Sequence, residues 1–162
     1  VILRSGVTQR KVMSYDRFEK SWVQSNYWGL IVLEPTQIPV VAEETKYLTA
    51  VLGIEKSRQF QAAVNGYQTA LIRWPGSLPG LMGLGNSYYA LKDLPRAESA
   101  FREATERYPL VAPAYNNLAQ VLLEQGRKRE ALAAARKAVS LGGPLLSVSK
   151  KTLQEIQSKI SY

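Results

Sequence analysis

The sequence predicts a mainly α-helical protein: a three-repeat α-solenoid of stacked helix pairs, closed by a C-terminal capping helix and preceded by a small β-rich segment. Two observations carry this prediction. Similar residues recur every 34 positions between 44 and 144, and within each recurrence the apolar residues fall at helical spacing. A period of that length is typical of arrays in which each helix pair buries its apolar face against the next pair.

Four sets of equivalent positions fix the period, each recurring at a step of 34 residues. The sets are Tyr47, Leu81 and Tyr115; Ala63, Ala97 and Ala131; Tyr67, Phe101 and Ala135; and Ala70, Ala104 and Ala138. Because independent positions keep one register, the pattern is specific. We expect a repeat region over 39–144, divided into units 44–77, 78–111 and 112–144.

Small residues occupy the positions where the two helices of a unit should cross. Gly85 and Ala119 are small on the first helices, and Ala97 is small on a second helix, so that the backbones can approach closely. The large ring of Phe101 or Tyr67 is then expected to fill the gap toward the next unit. The core is therefore predicted to be built from alanine and aromatic side chains.

The turns inside the three units differ in composition. Gly126 supplies the turn of the third unit, where a left-handed backbone is commonly needed. The second unit has Lys92-Asp93 and the first has Ser57-Arg58 at that place, so we expect slightly strained turns there. Pro75 and Pro109 follow the second helices of the first two units, because proline cannot continue a helix.

The middle unit resembles the tetratricopeptide repeat. Its matching residues are Leu81-x2-Leu84-Gly85-x2-Tyr88, Ala97-x3-Phe101 and Pro109. The third unit reads Tyr115-x2-Leu118-Ala119-x2-Leu122 and Ala131-x3-Ala135, and the first, more degenerate, reads Tyr47-x2-Ala50-Val51-x2-Ile54, Ala63-x3-Tyr67 and Pro75. The resemblance implies a concave groove, lined by the first helices, that binds a peptide or a partner segment.

The residues of that groove are predicted from helix geometry. Positions 1, 5, 8 and 9 beyond the first aromatic or leucine of each unit turn away from the core stripe, at about 100° per residue. They are Leu48, Leu52, Glu55, Lys56, Met82, Asn86, Tyr89, Ala90, Asn116, Gln120, Leu123 and Glu124. The apolar members can accept partner side chains, and the amides can bond a peptide backbone.

One known binding mode of the family is not expected here. Chaperone-binding members of the tetratricopeptide family clamp a terminal carboxylate with lysines and arginines in the groove. Lys56 is the only basic member of the predicted set, and Glu124 would repel an acid. The sequence therefore predicts a protein or peptide partner without such a clamp.

The repeat region is followed by a predicted capping helix within 145–162. Leu141-Gly142-Gly143-Pro144 should break the last repeat helix, and a helix is expected from about Ser149 to Ile160. Leu153, Ile156 and Ile160 recur at helical spacing, and Lys150, Lys151, Gln154 and Lys159 are expected to face outward. A polar outer face on a terminal element keeps a solenoid soluble.

Residues 1–38 do not follow the repeat. They predict strands at Val1-Ile2-Leu3 and over 7–13, a short helix capped by Ser14, and a buried strand over 27–33, with Pro35 and Pro39 in a linker. Such a unit is small for independent folding, which suggests the remnant of an upstream domain. The chain also lacks an initiating Met, so we expect it to be part of a larger protein.

This segment resembles the C-terminal edge of the bacterial papain-like cysteine peptidases that process double-glycine leaders. The residues that carry the resemblance are Val1-Ile2-Leu3-Arg4-Ser5-Gly6, Met13-Ser14-Tyr15-Asp16-Arg17-Phe18-Glu19-Lys20-Ser21-Trp22 and Tyr27-Trp28-Gly29-Leu30-Ile31-Val32-Leu33. The Asp-Pro pair of that family would fall near Arg4-Ser5, where this chain has neither Asp nor Pro. The catalytic Cys and His of the family would lie upstream. No catalytic residue carries over, and an unrelated β-rich segment remains an open alternative.

Composition excludes much familiar chemistry. The chain has no Cys and no His, so disulfides, Ser-His or Cys-His catalysis and histidine metal sites are not possible within it. The run Gly80–Gly85 lacks the Lys-Ser/Thr of a phosphate loop and falls inside a repeat helix. We expect a non-enzymatic chain with no cofactor and no metal.

The charge is basic but uneven. The net charge is +8, and its densest run is Arg127, Lys128 and Arg129, followed by Arg136 and Lys137. A solvated helical face is the favoured interpretation, and binding to nucleic acid or an anionic surface is a weaker alternative. No segment approaches the ~18 apolar residues of a membrane span, and the peptidase resemblance would suit a bacterial cytoplasm or cell envelope.

Two functional hypotheses result. The first is a protein–protein interaction scaffold that binds a peptide or partner segment in the groove. The second is the non-catalytic C-terminal part of a bacterial papain-like peptidase, in which the repeats recruit substrate or partners.

Overall fold

A computed structural model describes residues 2–3, 11–12, 36–38, 40 and 42–160 of the 162-residue chain. The chain forms two compact units, Val1–Val32 and Leu33–Tyr162. In the first unit, β1 (Ile2–Leu3) pairs antiparallel with β2 (Lys11–Val12), with Ile2 opposite Val12. The predicted helix at Ser14, the strand over 27–33 and most residues of the peptidase-like segment lie outside the described residues.

The second unit is a solenoid of helices, as predicted. Between residues 42 and 160 the chain forms α1 (Glu44–Lys56), α2 (Phe60–Arg73), α3 (Leu78–Ala90), α4 (Leu94–Arg107), α5 (Ala112–Glu124), α6 (Lys128–Leu141) and α7 (Leu146–Ile160). Each helix packs against the next one in the chain. The first helices of the three repeats are α1, α3 and α5, and the second helices are α2, α4 and α6.

Local sequence signals explain where these helices begin. The Ser77 side chain accepts a hydrogen bond from the Gly80 amide at 3.0 Å, and Asp93 accepts one from the Arg96 amide at 3.2 Å. Proline occupies the first turn of α3, α4 and α5. Its missing N–H costs nothing there, because the first N–H groups of a helix have no partner within the helix. The predicted stops also hold, because α2 ends before Pro75 and α4 ends before Pro109.

The core is built from alanine and aromatic side chains, as expected. Ala97 is fully buried, and Phe101 packs so closely on Gly85 that a Cβ there would lie 2.5 Å from the ring. The first repeat reverses this arrangement. Val51 takes the place equivalent to Gly85, and the small residue is Gly66 on the opposing helix, where a Cβ would lie 2.8 Å from Val51. The combined volume at the crossing is thereby kept small.

The prediction of strained turns is confirmed. Arg58 and Lys92 both have φ of 62°, and Gly126 at the equivalent place has φ of 77°. The left-handed backbone is thus a requirement of this turn in all three repeats. Only the third repeat meets it with glycine, and a side chain in that conformation costs about 1 kcal/mol.

The terminal helix α7 continues the repeat register. Its buried residues Ser149, Thr152 and Ile156 lie 34 positions beyond Tyr115, Leu118 and Leu122. Helix α7 therefore packs on α5 and α6 where the first helix of a fourth unit would lie.

Two details of α7 differ from the sequence prediction. The helix begins at Leu146 rather than near Ser149, because Gly142 and Gly143, with φ of 70° and 89°, complete the break before Pro144. Ile160 was expected in the apolar stripe but is exposed at the end of the helix. The expected outward residues Lys150, Lys151, Gln154 and Lys159 are exposed.

Candidate functional site

Helices α1 and α3 lie side by side and enclose an open groove. Its cavity volume is about 320 Å³. The lining side chains are Glu44, Thr45, Leu48, Thr49, Leu52 and Glu55 from α1, Tyr67 from α2, and Pro79, Met82, Gly83 and Asn86 from α3. We call this the first groove. Within it Leu48 is buried, at 7% exposure, whereas Leu52 is 40% exposed and available to a partner.

The floor of the first groove depends on one glycine. The ring of Tyr67 lies directly against Gly83, and any side chain there would overlap the ring. The Tyr67 hydroxyl donates a hydrogen bond to Glu55 Oε2 at 2.6 Å. Burial, with a further contribution from Glu55, raises the pKa of the Tyr67 phenol well above its usual value. The phenol therefore stays protonated and holds Glu55 in place.

The charges of the first groove are acidic and lie on one wall. Glu44 and Glu55 are both partly buried, near the two ends of α1. Their separation of eleven positions corresponds to about 16 Å along a helix. Helix α3, which forms the opposite wall, contains no charged residue. The described lining thus has two carboxylates and no basic side chain.

The corresponding second groove, between α3 and α5, has its amide side chains engaged. Asn117 Nδ2 donates to Asn86 Oδ1 at 3.1 Å, and Gln120 Nε2 contacts Thr152 Oγ1 at 3.5 Å. Asn116 is 7% exposed, and its Oδ1 is buried without a hydrogen-bond partner. Asn116 is thus buried, and its contact with a peptide stays a prediction. The repeat places that side chain against its neighbours.

Tyr89 and Glu124 close one end of the second groove. The Tyr89 hydroxyl donates to Glu124 Oε1, and Lys92 Nζ lies 3.3 Å from Glu124 Oε2. The hydrogen bond to Glu124, helped by burial, raises the pKa of Tyr89 to about 12. The same bond is the main cause that lowers the pKa of Glu124. This pairing joins α3 to α5.

The structure thus divides the predicted groove residues into two sets. Leu48, Leu52, Glu55, Met82 and Asn86 line the first groove together. Asn116, Gln120, Tyr89 and Glu124 belong to the second groove, and Leu123 is partly buried against the hydrophobic core. Lys56 and Ala90 are exposed but do not line the first groove. Contact of any of these residues with a partner stays a prediction.

Sequence reasoning missed part of the first groove. Glu44, Thr45, Thr49, Pro79 and Gly83 line it but were not predicted. One signal was available, because Gly83 is the glycine at a position where the neighbouring units have Thr49 and Asn117. A missing side chain on a groove-facing helix indicates a place where a ring or a ligand comes close.

The basic run is partly neutralised by ion pairs. Arg127 Nη1 lies 2.7 Å from Glu98 Oε1 and Nη2 lies 2.5 Å from Glu130 Oε2, while Arg102 pairs with both acids. Burial acts to raise the pKa of Glu98, but the hydrogen bonds from Arg102 and Arg127 hold it below its usual value. Arg127 likewise lowers the pKa of Glu130. Arg129, Arg136 and Lys137 are exposed, which is typical of a solvated helical face.

The described part of the chain has neither a membrane-spanning helix nor a cluster suited to a metal ion. None of the described helices is both long and apolar enough to cross a bilayer. Among the same residues, no group of three or more acidic side chains is placed to hold a metal ion.

Solved structures of the same fold include proteins bound to peptides. The Yersinia enterocolitica type III secretion chaperone SycD, in complex with a peptide of the translocator YopD, is 16% identical with a TM-score of 0.67, over 75% of this chain and 98% of that one. The first TPR of Spaghetti (RPAP3), bound to the HSP90 peptide SRMEEVD, is 16% identical with a TM-score of 0.67, over 76% of this chain and all of that one. The TPR2B domain of yeast Sti1, in a complex with pHsp70, is 16% identical with a TM-score of 0.68, over 72% of this chain and 97% of that one.

Sequence comparison identifies the family. No curated protein matches the chain in sequence. The matches show neither the predicted resemblance to a peptidase nor that this chain is itself bacterial. The family model of the tetratricopeptide repeat matches residues 55–110 and 82–144, which together are more than half of the chain. The chain belongs to the tetratricopeptide repeat family.

Proposed function

We propose that this chain is a protein–protein interaction scaffold that holds a peptide, or an extended segment of a partner protein, in the first groove. The observation that carries the proposal is the open cavity between α1 and α3, with exposed Leu52 and partly buried Met82 on opposite walls. Apolar side chains at the mouth of a preformed cavity favour binding, because their burial removes apolar surface from water. Fold relatives that hold peptides support the same function.

The partner is not held by a terminal-carboxylate clamp. The described lining of the first groove has no lysine or arginine, and Glu44 and Glu55 would repel an acidic terminus. The alternative role, as the non-catalytic part of a papain-like peptidase, has no support from the described residues or from the matched proteins.

Library selection followed by groove mutation tests this proposal. Peptides selected from a random library on the wild-type chain are measured by fluorescence anisotropy on Leu52→Ala and on Ile72→Ala. Ile72 is an equally apolar, exposed residue on α2 that does not line the first groove. We expect Leu52→Ala to weaken binding about tenfold, as for a buried interface anchor, and Ile72→Ala to leave it unchanged. Equal effects of both variants, or no enriched peptide, would contradict the proposal.

A further inference from the structure

We infer that the first groove is specific for a cationic partner segment, in which two basic side chains flank an apolar centre. This inference rests on the proposed function and names the chemistry of its partner. Three features of the groove support it: the position of its charges, its apolar centre and its length.

The charge of the groove has no internal compensation. Glu44 is partly buried and has no ion-pair partner among the described residues, because the nearby Lys46 pairs with Glu43 at 2.8 Å. Glu55 accepts a hydrogen bond from the Tyr67 hydroxyl, a neutral donor that supplies no counter-charge. Lys56 follows Glu55 in the chain but is not among the lining side chains. A basic side chain of a partner would supply the missing counter-charge at both places.

The middle of the groove is apolar. Leu48, Leu52 and Met82 lie between the two carboxylates, and the side chains of Thr45 and Thr49 carry no charge. Asn86, at the same wall as Met82, already accepts a hydrogen bond from Asn117. The centre of a bound segment should therefore be apolar, while its charge should be at the two ends.

The length of the groove sets the spacing of those charges. The backbone positions of Glu44 and Glu55 are about 16 Å apart along α1, and an extended chain advances ~3.3–3.6 Å per residue. Basic residues about five positions apart on an extended segment would therefore reach Glu44 and Glu55 together. A single basic residue would engage only one end.

Three capped peptides test the inference: Ser-Lys-Ser-Leu-Leu-Ser-Lys-Ser and its versions with both lysines replaced by glutamine or by glutamate. Acetylated and amidated ends remove the terminal charges. Dissociation constants from NMR titration at low salt should favour the lysine peptide over the glutamine peptide by about tenfold, and the glutamate peptide should bind least. Salt should reduce this preference, because the contacts are partly exposed.

Matched acidic variants complete the test. Glu44→Gln and Glu55→Gln should each lower the preference for lysine about threefold, with little change for the glutamine peptide. Glu106→Gln, at an exposed acid of α4 outside the groove, should leave the preference unchanged. Equal binding of lysine and glutamine peptides overturns the inference, and so does stronger binding of the glutamate peptide, an equal effect of Glu106→Gln, or the failure of all three peptides.

These outcomes separate the two proposals. If the library-selected peptides depend on Leu52 but show no preference for lysine, the proposed function stands and the cationic inference fails. If those peptides do not depend on Leu52, the proposed function itself fails.

Discussion

The two grooves of this solenoid use equivalent backbone positions and differ in what their side chains leave open. The first groove has Leu48 and Leu52 on one wall and exposes a cavity above Gly83. At the equivalent places, 34 positions on, the second groove has Met82, Asn86 and Asn117. There the amide of Asn117 bonds Asn86 across the groove, and Asn116 is buried.

This difference shows that the repeat fixes the walls of a groove but does not make it a site. A repeated backbone brings first helices together at a constant step, whatever their outward side chains are. Whether the space between them is open depends on two or three residues in each unit. Leu52 and Gly83 of the first groove are replaced in the second by Asn86 and Asn117, whose side chains bond to each other.

Removal of the Phe101 ring at the crossing of α3 and α4 should give the largest mutational effect. Phe101 is almost completely buried among residues of the second and third repeats. Phe101→Ala should lower the free energy of unfolding by about 3–5 kcal/mol, measured by urea denaturation. Tyr67→Phe keeps the ring of the first groove and removes the hydrogen bond to Glu55, so its loss should be only about 1 kcal/mol. Similar losses for both variants would contradict the packing assigned to these rings.

Filling the first groove from its floor should have the next largest effect. Gly83→Ala places a methyl group into the ring of Tyr67, and overpacking of this kind costs about 1–3 kcal/mol. Gly53→Ala in α1 is the matched control, because no atom lies within 4 Å of the added group. It should stabilise the chain by up to about 1 kcal/mol, since alanine favours a helix over glycine. A stabilising Gly83→Ala would show that Tyr67 does not form the floor.

Low pH should weaken the contacts between the second and third repeats more than those between the first and second repeats. Glu98 and Glu130 pair with Arg102 and Arg127 between the second and third repeats, whereas a neutral hydrogen bond from Gln68 to Tyr88 joins the first and second. Because the pKa values of both acids are lowered by folding, their contribution is complete above the usual value of 4.5 and is lost as the pH falls below it.

A single substitution tests this pH dependence. Glu98→Gln should lower the free energy of unfolding by about 1 kcal/mol at pH 7, a small value because its arginine partners are partly exposed. The variant should also lose less stability than the wild type when the pH is reduced from about 5 to 3. Urea denaturation at both pH values measures the difference. An identical pH dependence in the variant would contradict the role given to these pairs.

The helix-to-helix turns should give the smallest effects. Arg58→Gly removes a side chain from a residue with left-handed backbone and should stabilise the chain by no more than about 1 kcal/mol. Gly126→Ala should destabilise by a similar amount at the equivalent turn. Thermal unfolding of the two variants gives the sign directly. Changes of the same sign would contradict the equivalence of the turns.

Sequence reasoning predicted what depends on the repeat itself. The 34-residue period gave the helix pairs, the small residues at Gly85 and Ala97, and the strained turns at Arg58 and Lys92. These features follow from backbone geometry, which is the same in every unit. The placement of Leu52 and Met82 on opposite walls of one groove also follows from helical periodicity.

Features that depend on pairs of side chains from different units could not be predicted. The burial of Asn116 and the bond from Asn117 to Asn86 require the distance between α3 and α5, which periodicity does not supply. The ion pair of Arg127 with Glu98 joins residues 29 positions apart, and composition alone suggested a basic face there. The contact of Tyr67 with Gly83 depends on a ring orientation that the repeat pattern leaves undetermined.

The central claim, that a partner occupies the first groove and not the second, is tested most directly by NMR mapping. Methyl and amide resonances of the wild-type chain are followed while a library-selected peptide is added. The account predicts the largest shifts at Leu48, Leu52 and Met82, with small shifts at Gln120 and Leu123. Largest shifts on α5, or on the exposed basic residues of α6, would contradict it.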